Sequence, residues 1–256
     1  MSGSGFVNEI PLSLFFVGTC VLVLAFWEAG YQFGHRWRTK GITENEGLVS
    51  TMVSIIVGLV AFLLAFSFNM ASGRFQERRD VLIADVNAIG TTYLRADTIA
   101  EPERSKIKEL LREYVDNRIN AGSVDEMKAR LAKANEIQNS LWQQTVAVAD
   151  KDRSDIAALF VTTMNEMIDI HTKRLTIVTE HHIPDSIWAA LLGLTCLGIA
   201  AMGYQNGLLE HGRSPGILIV TLMFAIVIFM IADLDRPGQG TITVDQQAMS
   251  DLRKSM

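Results

Sequence analysis

Residues Leu48–Leu94 constrain this chain more than any other stretch. Leu48–Met70 carries no charged residue and has the length of a helical membrane span, for which about 20 apolar residues suffice. The charged run Arg74-Phe-Gln-Glu-Arg-Arg-Asp80 follows with no proline between the two. This pattern predicts one helix that leaves the bilayer and continues as a water-exposed rod, roughly 70 Å long in all. A rod that joins a span to a soluble region suits a channel, a sensor or a scaffold better than a simple anchor.

Three further segments lack charges, Ile10–Trp27, Ile187–Tyr204 and Ile217–Ala232, each near the length a span requires. The leader Met1–Glu9 has no Lys or Arg, so the first segment reads as a retained span rather than a secretory signal. Net charge is −5, which gives no nucleic-acid footprint. Cys20 and Cys196 both fall inside predicted spans. They read as small apolar packing residues, with no CxxC pair for zinc or redox chemistry.

The spans pair off. A short loop, Glu28–Gly47, joins the first two, and Gln205–Gly216 joins the last two. The expected domains are spans 1 and 2 in residues 1–73, a soluble helical domain in 74–185, spans 3 and 4 in 186–235, and an extended tail in 236–256. In the soluble region the rod runs to about Ala96. Thr98-Ile-Ala-Glu101 and Ser123-Val-Asp-Glu126 are capping-box patterns. Ile107, Leu110, Leu111, Tyr114 and Val115 form an apolar stripe at helical spacing, and Gly122 ends that helix. Another helix starts at Ser154-Asp155 and passes through Ile156, Leu159, Phe160, Met164 and Met167. No alternating strand pattern occurs there, so the expected class is an all-α membrane protein with four spans and a soluble bundle between spans 2 and 3. In the tail, Thr241–Val244 has the composition of one short strand. The positive-inside rule divides. Arg36, Arg38, Lys40 and Arg213 lie on the loop side, while Arg74, Arg78, Arg79, Lys173, Arg174 and Arg236 lie on the other, mostly in a long domain where the rule is weak.

The second span ends Leu64-Ala-Phe66-Ser-Phe-Asn69-Met-Ala-Ser72-Gly-Arg74-Phe75-Gln-Glu77-Arg-Arg79. This resembles the bacterial bestrophin pattern at Leu64, Phe66, Asn69, Arg74, Phe75, Glu77 and Arg79, without a gap. Over nearly its full length the chain also resembles a bacterial membrane family called bestrophin-like, in Asn87–Asp97, Ile183–Trp188 and Asp233–Pro237. Bestrophins are pentameric ion channels whose second span lines a narrow apolar neck. The resemblance implies a homo-oligomer, a pentamer, in the bacterial inner membrane, with the helical domain in the cytoplasm and with lipids and small inorganic ions as partners. It places the neck at Phe66, Phe62 and Gly58, where Gly58 departs from the bulky residue expected.

The residues themselves bear on that neck independently. Gly58, Phe62 and Phe66 stand at i, i+4 and i+8 and share a stripe of the helix. Around a symmetry axis such a stripe makes stacked apolar rings that gate by dewetting. The other reading of the stripe is contact with lipid or with a neighbouring helix. Ser54 extends it on one side, and Asn69 or Met70, Gly73 and Glu77 on the other. Arg74, Glu77, Arg78 and Asp80 read either as an ion-paired solvated face or as a charged vestibule. The candidate vestibule residues are Asn69, Glu77 and Arg74.

His171, Glu180, His181 and His182 read as a helix and its end rather than as a metal site, and protonation of the histidines as a pH input is the other reading. His171 and His182 are roughly 16 Å apart along a helix. A bestrophin-type calcium clasp needs an acidic run after the fourth span, and only Asp233, Asp235 and Asp245 are there. Asp233 and Asp235 read as partners of Arg236 or as pathway carboxylates. Ala200, Gly203 and Gly207 read as close helix packing. No phosphate loop, nucleophile elbow or carboxylate pair suggests an enzyme, and no cofactor is expected. The rival to a channel is a non-conducting scaffold or sensor with the same fold.

Overall fold

The computed structural model describes residues 7, 10–41, 44–119, 124–180, 182–209, 213, 215–236 and 240–256. The expected Gly122 stop, Ser123, His181, and Pro237 and Gly238 of the tail lie outside these residues. Among the described residues the chain is all helical. It comprises α1 (Leu12–Thr39), α2 (Glu46–Arg95), a 3-10 turn (Ala96–Thr98), α3 (Glu103–Arg118), α4 (Val124–Lys151), α5 (Asp155–Glu180), α6 (Asp185–Leu208), α7 (Gly216–Asp235) and α8 (Gln247–Ser255). Four helices are long and apolar enough to cross a membrane: α1, α2, α6 and α7. The second span runs on without a break into the charged sequence, because nothing in Asn69–Asp80 removes a backbone N–H. The chain divides into two compact units, Met1–Gln76 with Glu180–Thr243, and Glu77–Thr179 with Val244–Met256.

In the first unit, proline marks three helix starts. Pro11, Pro184 and Pro215 stand immediately before α1, α6 and α7, where a missing N–H costs nothing. At the other end of α1, Gly41 takes φ 75°, a left-handed conformation that glycine adopts at little cost, and Arg36 and Arg38 sit on the negative end of the helix dipole. Helices α1 and α6 approach through glycines on both sides. A Cβ on Gly30 or Gly34 would collide with the carbonyl of Ala200 or Tyr204, and one on Gly203 or Gly207 with that of Trp27 or Tyr31. In a bilayer, where burial supplies no drive between helices, such backbone approach provides the van der Waals contact that holds spans together. Val60, Leu64 and Ala71 of α2 join Trp188 and Leu191 of α6 and Ile228 and Ile231 of α7 in a core. Phe15 meets Trp188 edge-on, with centroids 5.8 Å apart.

In the second unit the apolar stripe of α3 does what its spacing predicts: Ile107, Leu111, Tyr114 and Val115 are fully buried. They pack with Leu82 and Ile89 of α2, Ile137 and Leu141 of α4, and Phe160, Met164 and Met167 of α5. Ile156 and Leu159 of α5 instead point outward and stay exposed. Ser154 caps α5 as its position suggests, its hydroxyl accepting from Ala157 N.

Three local expectations change. The Thr98 box does not form, because Thr98 donates its hydroxyl back to Arg95 O and Glu101 instead accepts from Ser105 N and Ser105 Oγ. Thr241–Val244 is not a strand, because Thr241 N and Ile242 N bond to the Asp233 carboxylate at 2.7 and 3.2 Å rather than to another backbone. The tail is not extended throughout. Helix α8 forms at Gln247–Ser255, with Met249 buried in the second core and Leu252 packed against it. Asp245 accepts from Gln247 N at its start, and Arg253 and Lys254 lie in its last turn.

Candidate functional site

Helix α2 buries a single stripe of its membrane half, Val49, Val53, Val60, Leu64, Ser67 and Ala71. Leu63 and Met70 pack against the same core from its flanks, and most of the remaining surface is exposed among the described residues. Its most exposed large side chains are Ile55 and Phe62, each 67% exposed, and Phe66, Gly58 and Asn69 are also exposed. Phe62 and Phe66, one helical turn apart, therefore share an apolar face that is exposed among the described residues. Ile55 is the residue that sequence reasoning passed over. It stands seven positions, about two turns, before Phe62, a spacing that an unbroken apolar run conceals.

Gly58 is open in a way that Gly30, Gly34, Gly203 and Gly207 are not. A Cβ built there meets nothing within 4 Å, and the same holds at Gly73. Among the described residues nothing requires glycine at either position, although a glycine inside a helix costs about 0.5–1 kcal/mol relative to alanine. On the loop side, the Ser54 hydroxyl is spent on Ser50 O at 2.8 Å.

The charged residues beyond the span sort by direction. With about 100° between successive residues, Asn69 and Gly73 lie within about 20° of the Phe62 direction and Glu77 about 60° from it, whereas Arg74 lies about 120° away and Arg78 about 160°. Burial agrees with this sorting. Arg78 is 6% exposed. The Arg74 Nε is buried with no hydrogen-bond partner among the described residues, and its charge acts on Asp235. Glu77 is half-buried, and Asp80 is exposed. The structure thus keeps Phe62, Phe66, Gly58 and Asn69 on one open side of α2 and turns Arg74 away from it.

The two carboxylates at the end of α7 are occupied. Asp235 accepts Ile183 N at 2.9 and 3.1 Å, and Asp233 accepts Thr241 N, Ile242 N and the Thr241 hydroxyl. Both side chains are buried. They work as acceptors for peptide N–H groups and tie the chain down where the last span ends. Arg236 beside them is buried and donates to Val7 O.

The histidines His171 and His182 part company. His171 belongs to a buried network of the second unit, and His182 to the first. Asp85 Oδ2 accepts from Arg118 Nη1 at 2.9 Å and from Arg174 Nη1 at 2.7 Å. Arg118 Nη2 donates to Tyr114 Oη at 2.7 Å and faces His171 Nδ1, and Gln138 donates to Tyr114 Oη. Burial, then the Arg118 charge, push His171 down to about 4. The same causes, in the same order, pull Arg174 below its ordinary value, and burial raises Tyr114. This network had no sequence signature, because its members lie on four helices. Among the described residues no group of three or more His, Cys, Asp or Glu side chains could hold a metal ion.

The chain resembles solved bacterial bestrophin homologues in fold. A variant of the homologue from Klebsiella pneumoniae aligns with a TM-score of 0.67 at 13% identity, covering 93% of this chain and 96% of its own. Another structure of that homologue aligns with a TM-score of 0.65 at 14% identity, covering 94% and 95%. No curated protein sequence matches the chain. A family model, the bestrophin-like domain, matches residues 19–249. With four spans, a second span continued as a soluble helix and that match over most of its length, the chain belongs to the bestrophin-like family.

Proposed function

We propose that the protein is a homo-oligomeric ion channel of the bacterial inner membrane, a pentamer, that passes small ions through a hydrophobic neck on α2. The observation that carries this reading is the open apolar line on the second span. Phe62 and Phe66 point away from their own chain while the opposite stripe of the same helix is buried. Copies arranged about an axis would stack these rings into a constriction that passes ions only when wetted. Asn69 follows the neck on the same side, with Glu77 at its edge. Gly58 leaves the neck open at its own level, and Ile55 supplies a bulky apolar side chain on the same line. Arg74, about 120° from the Phe62 direction and with its Nε buried, serves packing rather than the ion path. Lipids cover the remaining apolar faces of the spans, and the helical domain lies in the cytoplasm.

The test is ion flux in proteoliposomes. The wild-type protein is expected to conduct weakly, and Phe66→Ala to conduct more or with altered selectivity, because a smaller ring wets more readily. Absence of flux in both would remove the pore and leave a scaffold or sensor of the same fold.

A further inference from the structure

We infer that the loop-side end of α1 binds an anionic phospholipid, with Arg36 and Lys40 on the headgroup phosphate and an exposed apolar stripe along an acyl chain. The inference needs α1 to cross a bilayer and does not depend on the pore. At about 100° per residue, Phe33, Arg36, Trp37 and Lys40 fall within about 100° of one another around the helix. Phe33, Arg36 and Lys40 are exposed, and Trp37 is half-buried. Leu22 and Phe26, both exposed, leave the helix within about 20° of Phe33. From Leu22 to Phe33 the stripe is roughly 16 Å long, the depth of one leaflet in a hydrocarbon core about 30 Å thick. The basic pair begins where that depth ends.

Three rings mark the boundary. The Phe33 ring centroid lies 5.3 Å from that of Trp37 and 5.7 Å from that of Tyr204 on α6, and Trp37 meets Tyr204 edge-on at 6.5 Å. Trp and Tyr gather at headgroup level, so this cluster shows where α1 leaves the hydrocarbon. The side chains of Arg36 and Lys40 have no hydrogen-bond or ion-pair partner among the described residues, and the nearby acids are engaged elsewhere. Glu44 accepts the Tyr204 hydroxyl at 2.9 Å, and Glu28 accepts from Gln32 and Arg213. The negative end of the helix dipole explains basic residues in a last turn. It does not explain why they share a face with an apolar stripe one leaflet deep. A guanidinium and an ammonium above such a stripe match a phosphate above an acyl chain in both charge and depth.

The experiment is native mass spectrometry of the delipidated, detergent-purified full chain titrated with phosphatidylglycerol, and with phosphatidylethanolamine of the same acyl chains. Wild type is compared with the double variant Arg36→Gln/Lys40→Gln. Both side chains are exposed, so the variant should fold, with the unfolding midpoint of wild type in the absence of lipid. Wild type is expected to bind phosphatidylglycerol the more tightly of the two lipids. The variant should lose about thirtyfold in affinity for phosphatidylglycerol, the scale of two basic groups at an anionic surface, and little for phosphatidylethanolamine. A second double variant, Arg36→Lys/Lys40→Arg, keeps both charges and should bind as wild type does. Equal binding of phosphatidylglycerol by wild type and Arg36→Gln/Lys40→Gln, or equal affinity of wild type for the two lipids, overturns the inference. A change of subunit number in Arg36→Gln/Lys40→Gln with lipid binding unaltered also overturns it, and gives this face to a second copy of the chain.

Discussion

Gly30 of the first span lies directly against the carbonyl of Ala200 in the third, with no room between them for a Cβ. Gly203 returns the contact one turn later, against the carbonyl of Trp27. The two helices meet backbone to backbone, and small residues on each side let them do so. Replacing Gly30 or Gly203 by Val would force the helices apart and cost on the order of 1–3 kcal/mol, the usual scale of overpacking. Thermal unfolding of the detergent-purified protein should show a lower midpoint for both variants. Gly58→Val, where a Cβ meets nothing, should leave the midpoint nearly unchanged.

Asp85 is fully buried between two guanidiniums. Asp85→Asn would leave Arg118 and Arg174 buried beside each other without their shared counter-charge. Removing one partner from a buried ion pair costs about 3–5 kcal/mol. The helical domain should melt early or fail to accumulate, as circular dichroism at 222 nm would record. A stability equal to wild type would mean that solvent already screens this cluster.

His171 makes that domain sensitive to acid. Its folded pKa of about 4 lies below the ordinary 6.5, so between those values the unfolded chain binds the proton more readily. Stability from this group is complete above pH 6.5 and is lost as pH falls toward 4. By linkage, the loss at pH 5 is about 2 kcal/mol. His171→Gln should flatten the fall in unfolding midpoint between pH 7 and pH 5, and an unchanged slope would assign it to other groups.

The Asp233 carboxylate holds the residues after the last span. Asp233→Ala would release Thr241 N and Ile242 N, which it now accepts. Gly240→Val would push a side chain into the place of that carboxylate. Hydrogen exchange at Thr241 and Ile242 should accelerate in both variants. Protection equal to wild type would show that Asp233 does not hold them.

What could be read in advance follows from the range of each interaction. The four spans and the continuous α2 were legible because bilayer thickness demands charge-free runs and because proline alone would have interrupted the second helix. The Phe62 and Phe66 stripe was legible for a similar reason, since one helical turn relates the two. Gly203 and Gly207 stood out as small residues, but their counterparts Gly30 and Gly34 lie over 150 positions earlier, and no local pattern pairs them. Helix α8 has only nine residues, too few to be stable alone. It forms because Met249 and Leu252 pack into a core made by other helices. The Asp85 network escaped for the same reason, since charges assembled from four helices leave no spacing to find. Arg74 sits inside the matching motif, and helix rotation places it about 120° from Phe62, with its Nε buried.

The central claim is that Phe62 lines the path of the ions. Its most direct test is current across planar bilayers from a protein in which Cys20 and Cys196 are replaced by Ala and Phe62 by Cys, before and after a charged methanethiosulfonate reagent is added. The expected result is a current that the reagent blocks or sharply reduces, with no effect on the parent protein that keeps Phe62. A current that the reagent leaves unaltered, or no current from any of these proteins, would contradict it.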